Sequence, residues 1–145
     1  MIVGNGILAK AFSNDTESWD DFVILASGVS NSLELRMSEY DRERKLIRSF
    51  IGTKNTVVYF STTSVYDDSK KDSEYVKFKK EIELFIVSKF ENCLVIRLPI
   101  VLSNINNPYQ LLGHLRSKIE QNEKITIYSQ ASRYFFDVRE VPMAV

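Results

Sequence analysis

A chain of 145 residues, 44% hydrophobic and 26% charged, has the size and make-up of one globular domain, able to bury roughly two-thirds of the surface its unfolded form exposes. Its 19 basic residues balance its 19 acidic ones, so no long-range field selects nucleic acid or a membrane surface. The single cysteine, Cys93, and single histidine, His114, exclude an internal disulfide and a Cys/His metal cluster and fit a reducing cytoplasm, and no apolar run approaches the ~18 residues of a membrane span.

Residues 1–12 are neither basic nor long enough for a secretory signal. Met1 to Val3 reads instead as a minimal apolar strand that runs into Gly4-Asn5-Gly6 and then Ile7-Leu8-Ala9-Lys10-Ala11-Phe12, the opening turns of a helix. A polar stretch leads to a second strand, Phe22 to Ala26, which ends in Ser27-Gly28-Val29-Ser30. Apolar residues then recur at Leu33, Met37, Tyr40, Ile47 and Ile51, predicting an amphipathic helix over 33–51 with Asn31 or Ser32 as N-cap and Gly52 as its stop. Thr56 to Phe60 is a continuous β-branched and aromatic run of the kind buried on both faces of a parallel sheet, and it exits into Ser61-Thr62-Thr63-Ser64-Val65-Tyr66.

Asp72 or Ser73 can cap the next helix, which carries Tyr75, Phe78, Ile82, Phe85 and Ile86 on one stripe, and a fourth strand follows at Leu94 to Leu98 before Pro99. Asn107-Pro108 opens a further helix bearing Leu112, Leu115 and Ile119, and Ile125 to Tyr128 reads as a short strand. Alternation of strand and helix predicts an α/β fold of three layers, a short, mostly parallel sheet with helices on both faces. The expected sheet order runs from Met1–Val3 through Phe22–Ala26 and Thr56–Phe60 to Leu94–Leu98. Leu84 and Val87, opposite Phe78 and Ile82, suggest a second buried helix face and hence a homodimer.

Two constellations carry chemistry. Gly4-Asn5-Gly6-Ile7-Leu8-Ala9 fits G-x-G-x-x-A, in which the first glycine makes a tight turn, the second admits a diphosphate to the backbone and the small third residue lets helix pack on strand. The same glycines also fit a turn that merely joins strand to helix. Tyr75 and Lys79 stand at i, i+4 on one helix, and an ammonium beside a phenol favours the phenolate, lowering its pKa from about 10 towards a range useful for acid–base work. A core tyrosine beside a solvated lysine gives the same spacing. The hydroxyls of Thr62, Thr63 and Ser64 leave the third strand at its C-terminal end, where a parallel sheet presents ligand groups.

Taken in order, the glycine turn, the strand ending Ala26-Ser27-Gly28, the strand ending Ser61 to Tyr66, Tyr75 with Lys79 and Glu83, the strand Val95-Ile96-Arg97-Leu98-Pro99, and Arg133-Tyr134-Phe135-Phe136-Asp137-Val138 resemble the extended short-chain dehydrogenases. These include nucleotide-sugar epimerases, dehydratases and dTDP-4-dehydrorhamnose reductase. The resemblance implies a Rossmann-like domain that binds NAD or NADP through Gly4, Asn5, Gly6, Ile7, Leu8, Ala26, Ser27, Lys79 and Pro99. It implies catalysis by Thr62, Tyr75 and Lys79, with Tyr75 as acid/base, and contact with a nucleotide sugar through Thr63, Ser64 and Arg133.

Against the family pattern the chain lacks the second and third strands, the first of which carries the ribose-reading residue roughly 20 positions after the glycines. Asp20 and Asp21 precede a strand and do not substitute for it. The stretch from Thr62 to Tyr75 is short, and residues 1–145 include little of the family's C-terminal substrate lobe. Three readings follow: an NAD(P)-dependent enzyme, a non-catalytic binding or scaffolding protein, and a piece of a longer chain.

Overall fold

The computed structural model describes residues 1–103, 111–130 and 132–145. In chain order these form β1 (Ile2–Val3), α1 (Ile7–Ser13), β2 (Phe22–Leu25), α2 (Met37–Arg48), β3 (Thr56–Thr62), α3 (Glu74–Lys89), β4 (Cys93–Leu98), β5 (Ile100–Leu102), α4 (Leu111–Glu120) and β6 (Phe135–Asp137). The first four strands make one parallel sheet in the order β1-β2-β3-β4, the order expected from the sequence, in register Ile2↔Ile24, Val23↔Val57 and Val57↔Cys93. The chain is thus a mixed α/β protein built on a four-stranded parallel sheet.

Period-two alternation divides the core between the faces of that sheet. Val23, Leu25, Val57 and Tyr59 pack with Tyr40 and Ile47 of α2 and with Val76, Phe78, Ile82 and Ile86 of α3. Ile24, Val58, Phe60 and Leu98 point the other way, against Phe12 of α1 and Val141, which follows β6. Because β2 and β3 are covered on both sides, their sequences read as continuous apolar runs. β4 pairs with β3 along one side only and forms an edge of the sheet.

Two boundaries have clear local causes. The Ser73 side chain accepts the N–H of Val76 and caps α3, as its position before a helical stripe suggests. Gly4 has φ +131°, and a Cβ there would lie 2.5 Å from the Ala26 carbonyl oxygen. Only glycine therefore lets the turn after β1 lie against the end of β2.

Two expectations are corrected. The second helix begins at Met37, because Asn31 Oδ1 accepts the Leu33 N–H at 3.0 Å and forms a turn, while the Glu34 carboxylate accepts the N–H groups of Leu35 and Arg36. Residues 125–128 form no strand, and Ile127 and Tyr128 are exposed. The late pairing is instead parallel β5 with β6, Ile100↔Phe135 to Leu102↔Asp137. Asn107 and Pro108 lie outside the described residues; the helix expected there is described from Leu111, with Leu112 and Leu115 half-buried and Ile119 exposed. Among the described residues no helix is long and apolar enough to cross a membrane.

Candidate functional site

The C-terminal ends of the parallel strands gather most of the residues singled out by sequence. Gly4, Asn5 and Gly6 form an exposed turn ahead of α1, and Ala9 is buried under it, the packing role expected of the third small residue. A Cβ built at Gly6 meets nothing within 4 Å, and its φ of −75° is ordinary, so the space above Gly6 is open. Ile7 is exposed and Leu8 half-buried along α1. Ala26 and Ser27 follow β2 and lie beside Gly4, and Arg42 of α2 donates to the Ser27 carbonyl at 3.0 Å and hydroxyl at 3.2 Å. Pro99 sits half-buried between β4 and β5.

At the end of β3, Thr62 accepts the Ser64 N–H at 3.1 Å and opens a 3₁₀ turn over Thr63–Tyr66, leaving Thr63 and Ser64 half-buried. Tyr75 reaches the same point from α3. Burial pushes its phenol up to about 12, and a hydrogen bond with Thr62 opposes that rise. The expectation that Lys79 would lower this pKa is therefore corrected: the phenol is 8% exposed within the core, and desolvation dominates.

Lys79 explains why. Its ammonium, 2% exposed, donates to Glu43 Oε1 at 2.9 Å and to the Tyr59 hydroxyl at 2.9 Å, and stands 5.9 Å from the centre of the Tyr75 ring. Glu43 is equally buried and also accepts the Tyr59 hydroxyl at 2.8 Å and the Val29 amide at 2.5 Å. The carboxylate lies against Gly28, where a Cβ would come within 2.9 Å of it. One buried ion pair thus joins the loop after β2 to α2, β3 and α3. Burial lowers the Lys79 pKa and Glu43 opposes that shift. The space bounded by Ser27, Gly28, Glu43 and Tyr59 is ≈ 10 Å³, room for no more than about one water.

Glu43, Tyr59 and Gly28 were not singled out by sequence, yet a signal existed. Glu43 falls between Tyr40 and Ile47 on the apolar stripe of α2, and Lys79 falls between Tyr75 and Ile82 on that of α3, so each helix carries one charge where burial is expected. Farther along the edge, Arg97 of β4 grips Glu83 through two hydrogen bonds, 3.0 and 2.6 Å, and also donates to the Tyr66 hydroxyl. Arg133 is exposed and donates to the Ser132 carbonyl at 2.7 Å, and its charge helps to lower the pKa of Asp67, which is held down chiefly by Ser69. The described residues contain no group of His, Cys, Asp and Glu that could hold a metal ion.

Fold and site together define a parallel α/β domain with an open glycine turn and a Thr–Tyr pair at the C-terminal edge of its sheet, above a buried ion pair. No protein-family model matches the chain, and no curated protein or solved structure shows significant similarity to it.

Proposed function

We propose that the chain is a non-catalytic binding module of Rossmann-like, three-layer design, related to the extended short-chain dehydrogenases, that holds a nucleotide at the turn Gly4 to Gly6. The observation that carries this reading is the burial of Lys79 on Glu43 and Tyr59. A lysine held there neither reaches a nicotinamide ribose nor lowers the pKa of Tyr75, so the pair lacks the coupling that acid–base turnover of a sugar requires. The residues present suit the diphosphate end of NAD or NADP, where Gly6 leaves open space, and not the nicotinamide end. The module works in the cytoplasm as a homodimer associated through α2 and α3.

The test is thermal unfolding with NAD, NADH and NADPH. A ligand at about 100 times its dissociation constant stabilises by about 2.7 kcal/mol. We expect such a shift with the wild type and none with Gly6→Ala, whose fold stays intact because the added methyl meets only open space. No shift with any nucleotide would refute the reading.

The Thr62–Tyr75 contact favours a second reading, an NAD(P)-dependent reductase, epimerase or dehydratase acting on a nucleotide sugar, with Tyr75 giving or taking the proton. Oxidation of bound NADH in the presence of a 4-keto nucleotide sugar, slowed about 10²–10⁴-fold by Tyr75→Phe, would establish it in place of the first.

A further inference from the structure

The four-stranded sheet ends differently on its two sides. β1 is a strand of 2 residues, whereas β4 runs for 6, Cys93 to Leu98, with no proline, lysine or acidic residue among them. Short strands, prolines and charges are what keep a sheet edge from pairing with another chain. β4 carries one such guard, Arg97, and its guanidinium is already engaged by Glu83 and the Tyr66 hydroxyl. The Val57 N–H bonds the Asn92 carbonyl at 3.0 Å, so Asn92, Leu94 and Ile96 turn their backbone groups towards β3, while the N–H and C=O of Cys93, Val95 and Arg97 point away. Among the described residues nothing bonds these outward groups.

Two copies of β4 set antiparallel about a two-fold axis at Val95 satisfy all of them. Val95 meets Val95, Cys93 meets Arg97 in both directions, and Leu94, 37% exposed, stands opposite the half-buried Ile96. α3 fits the same axis. Its Glu81 and Phe85 lie towards α2, where Arg44 bonds Glu81 and the Arg48 guanidinium stands 5.7 Å from the centre of the Phe85 ring. Glu83 and Val87, each two residues and about 200° further round, lie on the opposite side. Glu83 fixes the direction, because it holds Arg97 of β4. Val87, one turn on, is 66% exposed on that side, with Leu84, 74% exposed, bordering it.

α3 packs across both β3 and β4. With paired strands about 4.8 Å apart, the two copies of α3 run roughly 10 Å apart, the distance at which helices pack. The step along β4 from Arg97 to Val95 is about 7 Å, or four to five helical residues, which carries α3 from Glu83 to Val87. Val87 therefore meets its own copy at the axis. Lys80 of each copy, on the same side of α3, falls near the C-terminal end of the other's α3 and its exposed Glu91, where negative charge suits an ammonium.

We propose that β4 of one copy pairs antiparallel with β4 of a second about a two-fold axis at Val95, joining two four-stranded sheets into one, with Val87 of both α3 helices packed above the junction. The proposal rests on the dimer reading above, keeps α3 in the contact and adds the strand beneath it. Because the opposite edge, β1, is too short to recruit a strand, the assembly closes at two copies.

Sedimentation equilibrium over roughly 1–100 µM tests it. The wild type should dimerise, and Val87→Asp should raise the dissociation constant about 100-fold with unchanged circular dichroism, since the side chain is exposed. Val95→Pro removes an N–H that β3 does not use and should leave the chain monomeric across that range. Independently of any variant, a mixture of isotope-labelled and unlabelled wild type should give filtered nuclear Overhauser contacts between the Leu94 Hα of one copy and the Ile96 Hα of the other, the close approach of a non-hydrogen-bonded pair. A wild type monomeric throughout overturns the proposal and the dimer reading together. A dimer that lacks the Leu94–Ile96 contact, or that survives Val95→Pro, leaves association through the helices standing and refutes the strand pairing.

Discussion

Tyr75 and Glu43 show how one side chain's surroundings decide what its neighbour can do. With a folded pKa of about 12 against an ordinary 10.0, Tyr75 holds its proton more tightly in the native state than in the unfolded one. Its contribution to stability, roughly 3 kcal/mol, is full below pH 10 and is lost as pH rises from about 10 to 12. Tyr59, raised for the same reason of burial, acts in the same sense. Lys79, lowered by burial, acts oppositely: its cost is relieved as pH rises towards 10.5, and above that it no longer masks the tyrosines. Urea denaturation at intervals from pH 8 to 12 should show stability falling in the upper part of that range, less steeply in Tyr75→Phe. Glu43→Ala should cost about 3–5 kcal/mol by leaving the Lys79 ammonium buried without its partner, and the paired change Glu43→Leu/Lys79→Met should recover most of that loss. A double variant as unstable as the single one would show that the hydrogen bonds to Val29 and Tyr59, not the charge, hold the node.

At the scale of elements, the strands and α3 were legible because their signals are local. Val57 and Val58 sit in a β-branched run, and Ser73 precedes a stripe of correct period. Ser73→Ala should cost about 1 kcal/mol in chemical denaturation. Gly4→Ala should cost more, since the new methyl meets backbone at φ +131°, and a cost no greater than that of Ser73→Ala would mean that β1 shifts to accept it. The start of α2 was not legible: the competing turn depends on a carboxylate, Glu34, satisfying two amides, and that choice leaves no trace in hydrophobic period. The β5–β6 pairing was hidden because Ile100–Leu102 and Phe135–Asp137 are short and distant in sequence. In the candidate site the glycine turn and the Thr62–Tyr75 approach could be anticipated. The role of Lys79 could not, because spacing along α3 says nothing of Glu43 on another helix.

For the whole molecule, the segment after β6 contributes Val141 to the core. Val141 is 0% exposed and completes the face built on Phe12, Ile24, Val58 and Phe60, so Val141→Asp should unfold the sheet domain as a unit, read as joint loss of far-ultraviolet and near-ultraviolet dichroism. The edge position of β4 has a consequence in time. Alternate residues of an edge strand turn their amides to the neighbouring strand, and since the Val57 N–H bonds the Asn92 carbonyl, the inward set is Leu94, Ile96 and Leu98. The amides of Cys93, Val95 and Arg97 point away from β3. In deuterated water the strand of a single copy should therefore exchange in a zigzag, its even-numbered amides as slow as those of β3 and its odd-numbered ones orders of magnitude faster, so that the border of the sheet is written residue by residue in exchange rates.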